Sequence, residues 1–202
     1  DNLFLKLDFK NKLSNFDAIS VREETAKQLL RKIGLDKEIN VVVDPTILLS
    51  KEQWLNEIKY IEPKNKEKYI LAYTMDRNEK YYEIVNELSK KTGLKIVCFE
   101  LKNNMFKNTL RNAFFSNPYE FLSYIRDAEF VVTNSFHGMV FSILFNKKFW
   151  VIPHRTRGSR MIDLANTLNV SDRFIENLNE FNSKDYNQEI DYESINKKVD
   201  ME

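Results

Sequence analysis

Hydrophobic positions along the chain alternate between two periods. Phe16 to Val21 is a short β-type run. Glu23 to Ile33 follows with apolar residues at helical spacing (Ala26, Leu29, Leu30, Ile33) and stops at Gly34, a common helix-ending residue. Asn40 to Val43 is a second β-branched run, halted by Asp44-Pro45, and a short helix is expected over Lys51 to Ile58. Tyr69 to Met75 reads as a strand, Glu79 to Lys91 as an amphipathic helix ended by Gly93, and Lys95 to Phe99 as a strand. Residues 101 to 116 are polar and irregular and predict a long loop. Pro118 then opens a helix running to Asp127, with Asn117 as its N-cap.

The next stretch is the most apolar. Phe130 to Thr133 predicts a strand, Phe136 to Phe145 a buried helix, Phe149 to Ile152 a strand closed by Pro153, and Arg160 to Leu168 a last core helix. Residues 181 to 202 turn polar, with three Lys against six Asp and Glu, and read as a solvated extension of a domain over residues 1–180. Strands alternating with helices predict an α/β fold, a Rossmann-like parallel sheet with helices on both faces. In such sheets ligands bind beyond the carboxyl ends of the strands, so polar residues just after strands are the ones to weigh.

Composition removes several function classes. The 202 residues carry 31 Lys+Arg against 30 Asp+Glu, a net charge of +1, which argues against general nucleic-acid binding. Met139 to Phe145, the longest near-continuous apolar stretch, falls far short of the ~20 residues that span a bilayer. With only 4 Gly, no dinucleotide fingerprint or P-loop can be written. With only 2 His and 1 Cys, neither a multi-histidine nor a cysteine-based metal centre is expected, and no cofactor. No secretory signal opens the chain and Cys98 has no disulfide partner, so a cytoplasmic location is expected. Asp1 in place of an initiator Met suggests a segment of something longer.

Thr133-Asn134-Ser135-Phe136-His137-Gly138 carries the strongest chemical signal. Asn134 or Ser135 can cap the buried helix, whose first-turn N–H groups and dipole suit an anion. His137 falls in that first turn, where an imidazole can serve as general acid or base. Gly138 removes a side chain where a ligand would approach the backbone. The alternative is a histidine packed at a helix start. Arg22 ends one strand and opens a helix, a position unfavourable for a cation unless it serves an anionic ligand or pairs with Glu23 or Glu24. Arg155, Arg157 and Arg160 follow another strand around Gly158 and read either as an anion clamp or as a solvated basic loop. Asp44 reads as a turn residue before Pro45, and Asp76 or Asn78 as the cap of the helix at Glu79. Phe114, Phe115 and Tyr119 read as core packing or a loop anchor ahead of sugar stacking, and Cys98 as an inert strand residue.

These motifs together resemble the polysaccharide pyruvyl transferase family. The resemblance rests on Ala18-Ile19-Ser20-Val21-Arg22-Glu23, Val43-Asp44-Pro45-Thr46 with Ile47-Leu48-Leu49, Val132 to Gly138, and Lys148 to Pro153, in order over about residues 14 to 175. It implies the C-terminal half of a protein with two Rossmann-type domains, as in GT-B glycosyltransferases. It also implies transfer of a pyruvyl group from phosphoenolpyruvate to two hydroxyls of a surface-polysaccharide sugar. By position, Arg22 corresponds to the family arginine that binds phosphoenolpyruvate, and His137 to the histidine proposed as catalytic acid. Many members carry an arginine two residues before that histidine. This chain has Ser135 there, so Arg155, Arg157 or Arg160 is the candidate replacement. Implied partners are phosphoenolpyruvate, a glycan or lipid-linked saccharide acceptor at the inner membrane face and, through an exposed apolar face, a second copy in a homodimer. Two other readings stay open: a GT-B glycosyltransferase half binding a nucleotide sugar, and a non-catalytic module binding a glycan or partner protein.

Overall fold

The computed structural model describes residues 3–62, 65–76, 78–100, 105–153 and 158–199, with side chains from residue 6. The chain divides into two compact units, residues 1–48 and 49–202.

The first unit is a helix, α1 (Leu3–Leu13), followed by a single β-α-β turn of chain: β1 (Ile19–Val21), α2 (Glu24–Lys32) and β2 (Ile39–Val41). The two strands pair in parallel, Val21 opposite Val41. A small core of Ile19, Leu35 and Ile39 lies beneath them, with Leu13, Val21 and Leu30 packed around it. Gly34 takes φ +83° after α2, a left-handed geometry that a residue with a Cβ rarely adopts.

The second unit begins at α3 (Lys51–Glu57), closed at its start by a reciprocal capping box between Ser50 and Gln53. There follow β3 (Tyr69–Tyr73), α4 (Glu79–Thr92), β4 (Lys95–Cys98), β5 (Thr109–Asn112), α5 (Pro118–Asp127), β6 (Phe130–Thr133), α6 (Phe136–Leu144), β7 (Lys148–Val151), α7 (Ser159–Leu168), α8 (Leu178–Ser183) and α9 (Tyr192–Val199). The five strands form one sheet in the order β5-β4-β3-β6-β7, every pair parallel. The Rossmann-like α/β expectation holds.

Strand alternation sorts the core into two faces. Ile70, Ala72, Ile96, Cys98, Phe130, Val132 and Trp150 point to one face and bury Tyr81, Ile84, Val85 and Leu88 of α4. On the other face Tyr69 and Tyr73 meet Tyr124 and Phe121 of α5 edge-on or tilted, and Phe121 meets Phe141 of α6. Helices therefore cover both faces, which is what a parallel sheet of such apolar strands requires.

Two segments depart from the sequence reading. The expected loop over 101 to 116 contains β5, a polar strand that pairs with β4 across a register shift between Ile96 and Val97. The expected solvated extension is docked over residues 181–199. Phe181 is fully buried, edge-on to the Trp150 indole at 6.0 Å, and Ile195 is buried as well. The Tyr192 hydroxyl donates to the Lys147 carbonyl. A few apolar anchors in an otherwise charged stretch suffice for this, and average polarity conceals them.

Candidate functional site

In the first unit, parallel pairing brings two sequence-distant residues together. Arg22 leaves the end of β1 and Asp44 lies just past the end of β2. Arg22 Nη1 donates to Asp44 Oδ2 at 2.5 Å. Asp44 is 4% exposed. Its other oxygen accepts from the Thr46 hydroxyl at 2.8 Å and the Thr46 N–H at 3.2 Å, capping a short 3-10 turn at Pro45–Ile47. Burial alone would raise the Asp44 pKa. The Thr46 hydrogen bonds and the Arg22 guanidinium outweigh it and hold the carboxyl below its ordinary value. Arg22 is thus partnered by Asp44, a residue that the local sequence around Arg22 does not contain. The guanidinium remains about half exposed.

In the second unit, the carboxyl ends of β3, β6 and β7 lie side by side. The turn after β6 is knitted to the loop after β3. Asn134 accepts the Met75 N–H at 2.7 Å and donates to Asp76. Thr133 Oγ1 donates to the Tyr73 carbonyl at 2.7 Å and accepts the Ser135 N–H at 3.0 Å. Ser135 is the N-cap of α6, accepting the Gly138 N–H at 3.4 Å, and shares a side-chain hydrogen bond with Tyr73, whose phenol burial pushes above its ordinary value. A Cβ on Gly138 would run into the Thr133 side chain and lie 3.1 Å from Tyr73 Cδ1. The space expected to admit a ligand is therefore filled by protein. Asn134, Ser135 and Gly138, expected on the substrate, build the turn: each is buried and engaged with β3, β6 or α6.

What that turn presents is His137, exposed in the first turn of α6, with the Phe136 ring beside it at 5.6 Å. Arg160, in the first turn of α7, lays its guanidinium over the same Phe136 ring at 4.6 Å. Among the described residues its Nη1 is shielded from solvent and has no hydrogen-bond partner. Parallel β6 and β7 bring the starts of α6 and α7 to one edge of the sheet, so His137 and Arg160 flank one aromatic ring although 23 residues separate them. Arg155 and Arg157 lie outside the described residues.

Three residues missed or misjudged by the sequence reading matter here. Asp44 does more than shape a turn. Tyr73 and Thr133 hold the α6 cap. Each sits at a strand end, and their signal is visible only once the strands are known to be parallel neighbours. Of the two expected caps of α4, Asn78 is the one that forms, its Oδ1 accepting the Lys80 N–H at 3.1 Å. Phe114, Phe115 and Tyr119 are exposed, contrary to the expectation of packing. A separate cleft of about 620 Å³ lies along α4, lined by Glu79, Asn86, Lys107 and Leu178 among others, and contains none of the predicted site residues. Among the described residues no group of three or more His, Cys, Asp or Glu could hold a metal ion. Nor is any helix there long and apolar enough to cross a membrane.

A comparison with curated proteins finds no match. The sequence model of the polysaccharide pyruvyl transferase family matches residues 2–156, which include Arg22, Asp44, Ser135 and His137. That match covers well over half of the chain, and its motifs fall at the strand ends where the two clusters form: this protein belongs to the polysaccharide pyruvyl transferase family.

Proposed function

We propose that the protein transfers the pyruvyl group of phosphoenolpyruvate to two hydroxyls of a sugar in a surface polysaccharide. The observation that carries this reading is that His137 and Arg160 both lie against Phe136, with an Arg160 nitrogen shielded from solvent and without an acceptor among the described residues. A shielded guanidinium N–H without an acceptor is unfavourable in the free protein, and an anionic ligand relieves it. Phosphoenolpyruvate offers both a carboxylate and a phosphate, and the adjoining α6 N-terminus favours the same charge. Arg160 lies beyond the matched residues, so its role rests on this geometry. By position alone, Arg22 of the first unit resembles the arginine with which the family binds the donor.

His137 gives a proton to the methylene carbon of the donor, which becomes the methyl group. The adjacent carbon, now oxocarbenium-like, is attacked by one sugar hydroxyl, which gives up its proton. The bond to the phosphate oxygen then breaks and inorganic phosphate leaves. A second hydroxyl of the same sugar closes the ketal and releases the last proton. The acceptor is presented on a lipid carrier at the inner membrane face.

Titration with phosphoenolpyruvate followed by phosphorus NMR tests the reading, with uridine diphosphate as the competing ligand. Saturable donor binding that weakens about tenfold or more in Arg160→Ala is expected, since hydrogen bonds to charged groups contribute ~1.5–3 kcal/mol. Arg160→Lys should recover little of it, because an ammonium lacks the planar fork. Binding of the nucleotide alone would replace this reading with the glycosyltransferase one.

A further inference from the structure

Because all five strands of the second unit are parallel, the corner after β5 opens on the same sheet edge as the turn carrying His137. That corner holds three exposed aromatic rings: Phe115 at 94%, Tyr119 at 52% and Phe114 at 39% exposure. Single exposed apolar residues are ordinary, but three aromatics at one corner form a patch that calls for a ligand. The backbone beneath is fixed. The Phe114 N–H donates to Asn112 Oδ1 at 3.1 Å and the Ser116 N–H to the Ala113 carbonyl at 3.0 Å. Asn117 and Glu120 close a reciprocal capping box at the start of α5. Phe114 and Phe115 brace each other edge-on at 5.2 Å. The rings are thus presented by a built turn, which lowers the entropy lost when something stacks on them.

Three strand spacings, β5 to β4 to β3 to β6, put this corner ~14 Å from the end of β6. A few pyranose rings bridge that distance. A pyranose offers an apolar C–H face that matches an aromatic ring, with hydroxyls around its rim for water and polar neighbours. We propose that Phe115, with Phe114 and Tyr119, is a stacking platform for a neutral sugar of the acceptor polysaccharide, a few residues away along the glycan from the one that receives the pyruvyl group. This rests on the polysaccharide acceptor of the proposed function. It adds an acceptor subsite that reads chain length.

The test immobilises oligosaccharide fragments of bacterial surface polysaccharides as an array and compares the wild-type chain with Phe115→Ala, Tyr119→Ala and Phe115→Trp. Wild type should retain fragments of several sugars and release single sugars. Phe115→Ala should lose at least tenfold in retention, Tyr119→Ala less, and Phe115→Trp should keep it. Equal retention by Phe115→Ala, or no fragment retained by wild type, overturns the platform. So does Phe115-dependent binding to phosphatidylglycerol or phosphatidylcholine vesicles in place of saccharide, which would make the patch a membrane contact. A parallel phosphoenolpyruvate titration separates the two ideas. Donor binding with Phe115-independent glycan retention removes the platform alone. Phe115-dependent retention without donor binding removes the donor reading alone.

Discussion

Arg22 and Asp44 stand 22 residues apart in sequence and meet at 2.5 Å because β1 and β2 run in parallel and end side by side. The buried carboxylate is held on its far side by Thr46, so it acts as a fixed post against which one guanidinium nitrogen is set. The exposed remainder of the guanidinium is then oriented before any anion arrives.

Replacing Asp44 by Asn should therefore weaken both the first unit and its grip on an anion. A stability loss of about 1–3 kcal/mol at pH 7 is expected, the usual consequence of removing a charged partner from a buried hydrogen-bonded group. The pH dependence has a definite sign. The folded-state pKa of Asp44 lies below its unfolded value of about 3.9, so its contribution is complete above that pH and fades as pH falls through the depressed folded value. The gap between wild type and Asp44→Asn should thus be full at pH 7 and narrow below about pH 4. Urea unfolding followed by circular dichroism at pH 7, 5 and 3 checks this. A gap that widens toward acid would contradict it.

His137 is exposed. His137→Ala should leave stability within about 0.5 kcal/mol of wild type, as for surface substitutions generally. Ketal formation should fall at least 10²-fold, the lower end for a lost general acid. Phosphate release from phosphoenolpyruvate in the presence of acceptor, set beside a thermal melt, measures both. An active variant would remove His137 from the chemistry.

Gly138 is fixed by packing. Its Cα faces Thr133 and the Tyr73 ring, and an added methyl group would force the start of α6 away from β6. Gly138→Ala should destabilise the second unit by about 1–3 kcal/mol, the range for overpacked cores, and should displace His137 with it. Denaturant unfolding gives the first effect. The His137 imidazole resonances, shifted relative to wild type in a folded sample, give the second.

The elements that sequence patterning captured are those whose apolar spacing is set by burial in the sheet unit. β3, α4, β4, α5, β6, α6 and β7 each follow it, and the Asn117-Pro118 start of α5 was legible to the residue. β5 was not, because Thr109-Leu110-Arg111-Asn112 is an edge strand with little to bury, and its existence depends on β4 beside it. α1 was not, because its Leu5, Leu7 and Phe9 recur at every second position, the period of a strand. In the two clusters the sequence could point to Arg22, and to His137 and Arg160, as residue types in telling places. It could not show which of their neighbours were already engaged. That Asn134 is bound to Met75 and Asp76, or that Arg22 faces Asp44, follows from strand order, which no local window contains.

Cys98 lies wholly inside β4, and burial, aided by the nearby Glu100 carboxylate, pushes its thiol up to about 12. Thiol reagents and mild oxidants attack the thiolate, and almost none exists there at neutral pH. The native chain is in effect a blank background for labelling. Ser116→Cys, beside the platform, would add the one reactive thiol, and a fluorophore attached to it would report the arrival of a glycan with all three aromatic rings kept.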